Sequence, residues 1–162
     1  MESVYIETTI VSYVVGRPSK DPVLLGHQIA TKRWWEEDRA KYRCYSSDEV
    51  VKEASIGERK MAKLRLKALA YTEPIITLEE DEILAEQFLR TGALPTSMRG
   101  DAMHLALAAR LRLDYLLTWN CKHLANARIL RRLDLEAQKA QKILPRVCTP
   151  IELLGDSADV FE

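Results

Sequence analysis

Residues 99–126 constrain the fold more than any other part of the chain. They read RGDAMHLALAARLRLDYLLTWNCKHLAN. After Gly100 and Asp101 come Ala102, Met103, Leu105, Ala106, Leu107, Ala108, Ala109 and Leu111, apolar on nearly every side of a helix. A helix of that kind is buried on most sides. Asp114 breaks the run, and residues 115–118 (YLLT) read as a short buried strand. Trp119, Asn120, Cys121, Lys122 and His123 then gather at the strand's exit. In open α/β sheets, chemistry collects beyond the carboxyl ends of the strands. A carboxylate at a helix start and a polar cluster at the next strand exit therefore mark a candidate site.

The flanking sequence alternates in the same way. Residues 3–6 favour a strand, which Glu7 ends, and Thr8 or Thr9 caps a short helix stopped by Gly16 and Pro18. Asp21-Pro22 opens a helix expected to run to about residue 40, with Trp34 and Trp35 as packing residues. Residues 42–45 form a second strand. Ser46, Ser47 and Asp48 cap the helix after it, in which Val50, Val51 and Ala54 are expected to face the core. Gly57 precedes a basic helix containing Arg59, Lys60, Lys63, Arg65 and Lys67. Residues 73–77 are a third strand, and the helix after it begins with an acidic turn that suits the helix dipole. Residues 127–142 are a charged helix, 146–148 an edge strand and 149–154 a capped turn. The alternation predicts a three-layer α/β/α domain with a central parallel sheet, spanning 1–154, and an acidic tail over 155–162.

Composition narrows the classes. Within 162 residues, 24 basic and 24 acidic side chains balance, so net charge points to no partner, and nucleic-acid binding would have to use a local patch. The basic helix, through Arg59, Lys60 and Lys63, is that patch. Three cysteines without a CxxC pair indicate neither a zinc site nor a disulfide framework, and fit a reducing cytoplasm. No signal peptide or membrane-length apolar run is evident, so no membrane partner is expected.

Four residues fall at or near one edge of such a sheet. Glu7 ends the first strand, Glu53 lies on the helix after the second, Asp101 starts the long apolar helix and Asn120 follows the fourth strand. Clustered carboxylates repel one another unless a cation neutralises them. Oxygen ligands without His or Cys select hard ions, Mg²⁺ or Mn²⁺, and such sites hydrolyse phosphodiesters.

Four segments carry a resemblance. VYIETTIVSYV, YSSDEVVKEASIG, GDAMHLALAA and YLLTWNCKHLANA resemble, in this order, the motifs of PIN-domain proteins, the family that includes the VapC ribonuclease toxins of toxin–antitoxin pairs. The resemblance covers residues 3 to 151. It implies a metal-dependent ribonuclease in which Glu7, Glu53 and Asp101 hold Mg²⁺ or Mn²⁺, Asn120 is a neutral ligand or positions water, and Thr8 and Thr118 support the site. It further implies an RNA substrate, a homodimer and, for a toxin, an antitoxin protein. Glu7 and Asn120 stand where the family commonly has aspartate; one change lengthens the arm and the other removes a charge. His104 and His123 match no family role, and His104 is expected to be a hydrogen-bonded core residue. Two other readings stand beside this one. Asn120 motivates a PIN-like module that binds RNA or protein without catalysis. A small phosphohydrolase would want a nucleophilic aspartate where Glu7 stands.

Overall fold

A computed structural model of the chain describes residues 1–155. The expected tail lies, from residue 156 onward, outside the described residues. Five strands, β1 (Ser3–Ile6), β2 (Arg43–Ser47), β3 (Glu73–Ile75), β4 (Tyr115–Leu117) and β5 (Arg146–Cys148), form one parallel sheet in the order β3-β2-β1-β4-β5. Among the described residues, seven α-helices flank it: α1 (Thr8–Val15), α2 (Pro22–Arg33), α3 (Asp48–Ala54), α4 (Arg59–Leu69), α5 (Glu79–Arg90), α6 (Arg99–Arg110) and α7 (Ala127–Lys139). The expected three-layer α/β/α architecture is therefore present.

The strand order explains the layers. The chain steps from β1 to β2 to β3 in one direction, then returns to β4 on the other side of β1 and continues to β5. Right-handed crossovers put helices from opposite step directions on opposite faces. The contacts agree: α1 packs with α2, α3 and α4, while α5 packs with α6 and α7. The layers meet where α3 touches α6. This contact occurs beyond the sheet's carboxyl edge, beside the point where the direction of winding reverses.

β1 lies in the middle of the sheet, and its Val4, Tyr5 and Ile6 are fully buried. A strand covered on both faces reads as a continuous apolar run rather than an alternation. α6 contributes the largest continuous buried block, Ala102 through Ala109, as its all-round apolarity requires. Arg110 closes that helix against α5, bonding the fully buried Asp81 at 2.7 Å and the Ile76 carbonyl at 2.9 Å.

Three local expectations change. The helix from Pro22 does not continue regularly to residue 40: it ends at Arg33, and a π-helical turn (Trp34–Asp38) and a 3₁₀ turn (Arg39–Lys41) follow. The wider turn places Trp34 and Trp35 together on the buried side, and both are packing residues. Val51 does not face the core; it is 43% exposed, because Val50 and Ala54 already fill the buried face of the short α3. The cap of α1 is the Glu7 carboxylate, which accepts from the Thr9 N–H, and not Thr8 or Thr9.

Candidate metal centre

Glu7 is the hinge between β1 and α1. Its N–H continues the β1–β4 ladder by donating to the Leu117 carbonyl at 3.2 Å, and its carbonyl accepts the first helical bond from Ile10. The side chain therefore projects from the carboxyl end of β1 next to β4. It is almost completely buried. Three donors converge on its Oε2: the Thr9 N–H, the Thr9 hydroxyl and, at 2.7 Å, the hydroxyl of buried Thr118. Burial pushes the Glu7 carboxyl above its ordinary range, against the pull of His104 and these hydroxyls.

Glu53 is carried by α3, in the same layer as α1, across the sheet edge to α6. Its Oε1 accepts from the Thr8 hydroxyl at 3.2 Å and lies 2.6 Å from His104 Nε2. Burial would raise this carboxyl, but the His104 contact, the imidazole charge and Thr8 outweigh it and hold it below the ordinary value. The Nε2 contact is close but poorly aligned with the ring N–H, so it acts as a charge contact and leaves Nε2 without a well-directed hydrogen bond.

His104 is fully buried. Its other ring nitrogen, Nδ1, meets the Tyr5 hydroxyl at 2.8 Å, and that hydroxyl meets Ser47 Oγ at 2.6 Å. Ser47 in turn caps α3 by accepting from the Val50 N–H. The sheet's central strand, the α3 cap and α6 thus fix the orientation of one imidazole. Burial would lower its pKa, but Glu53, Glu7 and Asp101 outweigh it and raise it.

Asp101 and Asn120 form an adjoining group. Asn120 Nδ2 donates to Asp101 Oδ2 at 3.1 Å, and Asn120 Oδ1 accepts from the His123 N–H at 3.1 Å. His123 Nδ1 lies 3.7 Å from the same Asp101 oxygen. Thr118 accepts from the Asn120 N–H at 2.9 Å, so one hydroxyl supports both Glu7 and Asn120. Burial raises the Asp101 carboxyl, opposed by His104, His123 and Asn120.

The ligand atoms of Glu7, Glu53 and His104 all lie within 4.8 Å of one another. Asp101 stands beside this trio, coupled to His104 and Glu53 by charge. The carbonyl oxygen of Asn120 is engaged by backbone, and its amide faces a carboxylate. Thr8 and Thr118 each donate to a site carboxylate. Arg59, Lys60 and Lys63 are exposed at the start of α4, while Arg65 is folded back onto the Ala54 and Ile56 carbonyls. His104 is the hydrogen-bonded core residue expected from the sequence, and it also belongs to the centre, as does Thr9, expected only as a helix cap. For His104 the signal was its spacing: three residues after Asp101 on one helix, it shares that carboxylate's face.

This donor set is two carboxylates and an imidazole, with a third carboxylate adjacent. It fits a divalent cation, because three ligand atoms lie within 4.8 Å of one another and the buried imidazole nitrogen among them has no well-directed hydrogen bond. Carboxylates suit Mg²⁺ and Mn²⁺, and an imidazole in the set favours Mn²⁺ of the two. A surface cavity of about 760 Å³ opens elsewhere, against β5 and α7; none of Glu7, Glu53, Asp101 or His104 lines it.

Fold and centre together define a class: a parallel three-layer α/β/α protein with a carboxylate–imidazole cluster in the crevice where the strand order reverses. No family model, curated protein or solved structure matches the chain. Among the described residues, no helix is long and apolar enough to cross a membrane.

Proposed function

We propose that the protein is a metal-dependent ribonuclease of the PIN kind, hydrolysing phosphodiester bonds of RNA in the crevice between the ends of β1 and β4. The observation that carries this reading is the convergence of Glu7, Glu53 and His104 within 4.8 Å at the sheet's switch point, with Asp101 beside them. Glu7, Glu53 and Asp101 would hold the cation, Mn²⁺ or Mg²⁺. Such an ion polarises a phosphoryl oxygen and lowers the pKa of bound water. Thr9 and Thr118 fix Glu7, and Thr8 fixes Glu53, so the carboxylates are oriented before anything binds. The amide of Asn120 holds Asp101 without adding charge. Exposed Arg59, Lys60 and Lys63 supply positive charge for the phosphate backbone. The homodimer and the antitoxin partner belong to the same proposal; exposed Val23, Leu24 and Ile29 on α2 offer apolar surface for a second chain.

The test is Mn²⁺ titration followed by thermal unfolding, with labelled RNA incubated in parallel. The parent is expected to gain several degrees with Mn²⁺ and to cleave RNA in a chelator-sensitive way, while Glu7→Gln and Asp101→Ala lose cleavage. A parent that neither shifts nor cleaves overturns the reading. One observation favours a second reading, a binding module without catalysis: both polar ends of the Asn120 side chain are occupied within the protein. RNA binding without a Mn²⁺ shift would select it.

A further inference from the structure

Trp119 lies between Thr118 and Asn120, and its ring is only partly buried, packed against the edge of the core. It stacks on His27 with centroids 4.0 Å apart and planes 13° apart, and on Tyr13 at 6.0 Å and 24°. The three rings come from three elements: α1, α2 and the exit of β4. All three are partly exposed, whereas Trp34 and Trp35 are buried. The other ring pairs among the described residues are tilted or edge-on, including Trp34 with Tyr42 and Trp35 with Tyr71. Tilted and edge-on contacts are usual in a packed interior. A near-parallel stack that is partly exposed instead offers a flat π face, which is what a nucleobase extends.

The stack is also tied to the centre. Trp119 Nε1 donates to the buried Thr31 hydroxyl at 2.7 Å, which fixes the ring against α2. The Trp119 N–H donates at 2.9 Å to the Thr9 hydroxyl, the same hydroxyl that donates to Glu7. One side chain therefore positions both a carboxylate of the centre and the ring beside it. The charge of Glu7 is felt at the Tyr13 phenol, whose pKa is raised by burial first and then by Cys121 and Glu7.

We propose that Tyr13, His27 and Trp119 form a stacking platform for a base of single-stranded nucleic acid whose phosphate lies at the carboxylate centre. The inference rests on the ribonuclease reading above and deepens it. A paired base has both faces covered by its neighbours and cannot extend this stack, so the platform selects unpaired strands. It sets which nucleotide stands beside the centre, and Trp119 is a specificity-determining residue rather than a ligand to the cation.

The test is binding of a single-stranded RNA of about eight nucleotides, a span within the usual site sizes for such strands, measured in chelator so that no cleavage intervenes. The same oligonucleotide with abasic sites keeps its phosphates and removes its bases. Trp119→Ala is expected to weaken binding of the normal strand roughly tenfold, leave the abasic strand unchanged, and be rescued by Trp119→Phe. Tyr13→Ala repeats the comparison in case Trp119→Ala fails to fold. Quenching of the parent's tryptophan fluorescence by the normal strand adds a direct readout, since Trp34 and Trp35 are buried. Equal affinity of parent and Trp119→Ala, an equal loss on the abasic strand, or no binding by the parent overturns the platform. The Mn²⁺ thermal shift of the same proteins separates the two ideas: a shift with no Trp119 dependence leaves the ribonuclease reading standing and removes the platform. Base-dependent binding without a Mn²⁺ shift does the reverse.

Discussion

His104 sets the charge balance of the centre. A fully buried imidazole among Glu7, Glu53 and Asp101 supplies the positive charge that the carboxylates otherwise lack. Removing it leaves Glu53 with only Thr8 and the Tyr5 hydroxyl with only Ser47, and losing one side of a buried contact is costly. His104→Ala is expected to lose ~2 kcal/mol of stability in urea titrations, a figure kept low because Glu53 retains contact with water. Mn²⁺ should recover less of that loss than it adds to the parent, because a nitrogen donor is gone. Asn120 makes the opposite test. Asn120→Asp would set a second carboxylate against Asp101, where an amide now donates. Without a divalent cation its Tm should fall by a few degrees; with Mn²⁺ its gain should exceed the parent's. A smaller gain than the parent's would place residue 120 outside the reach of the ion.

At the scale of elements, the centre depends on α6 being held in register with the sheet and with α5. The buried Asp81–Arg110 pair does this at the end of α6 remote from Asp101. Arg110→Ala strands a fully buried carboxylate and is expected to cost about 3 kcal/mol, read by chemical denaturation. Mn²⁺ affinity, measured where the variant is still folded, should change little, since Asp101 and His104 lie on the first turns of the same helix. The basic face of α4 is a separate element with a separate signature. Arg59→Ala together with Lys63→Ala should weaken RNA binding and reduce the slope of log affinity against log salt by about 2, one per phosphate contact. An unchanged slope would make that face a solvated surface only.

For the whole molecule, pH reports the centre. Glu7, Asp101 and His104 all have raised pKa values in the fold. Each therefore holds its proton more tightly folded than unfolded, and its contribution to stability is lost as pH rises from its unfolded value through its folded one. Unfolded carboxyls titrate near ~4 and an unfolded imidazole near ~6.5. Glu53, Asp38 and Asp114 are lowered, so their contributions are complete above ~4 and are lost only in more acidic solution. Between about pH 5 and pH 8 the metal-free protein is thus expected to lose stability as pH rises. Mn²⁺ should stabilise it more at pH 8 than at pH 6, because the cation takes the place of the protons. Thermal melts across that range, with and without Mn²⁺, check both statements; a Tm that rises toward pH 8 without metal would contradict this charge balance.

By itself the sequence determined the layered parallel architecture and most of the element positions. Those follow from local chemistry: apolar runs that must be buried, Ser47, Asp21 and Asn126 at helix starts, and Gly16, Gly57 and Pro145 between elements. It also picked out Glu7, Asp101 and Asn120, because carboxylates and amides at strand exits and helix starts are visible in one dimension; Glu53, more than a turn into its helix, was secured only through the resemblance. Only the tertiary structure decided the rest. Strand order made β1 and β4 neighbours and so brought Glu7 to Thr118, which are 111 residues apart. The contact between α3 and α6 turned His104 from one more residue in an apolar helix into the partner of Glu53. The packing of α2 against α1 stacked His27 and Tyr13 on Trp119. Each of these depends on long-range pairing, and a side chain's neighbours across a sheet leave no mark on its own local sequence.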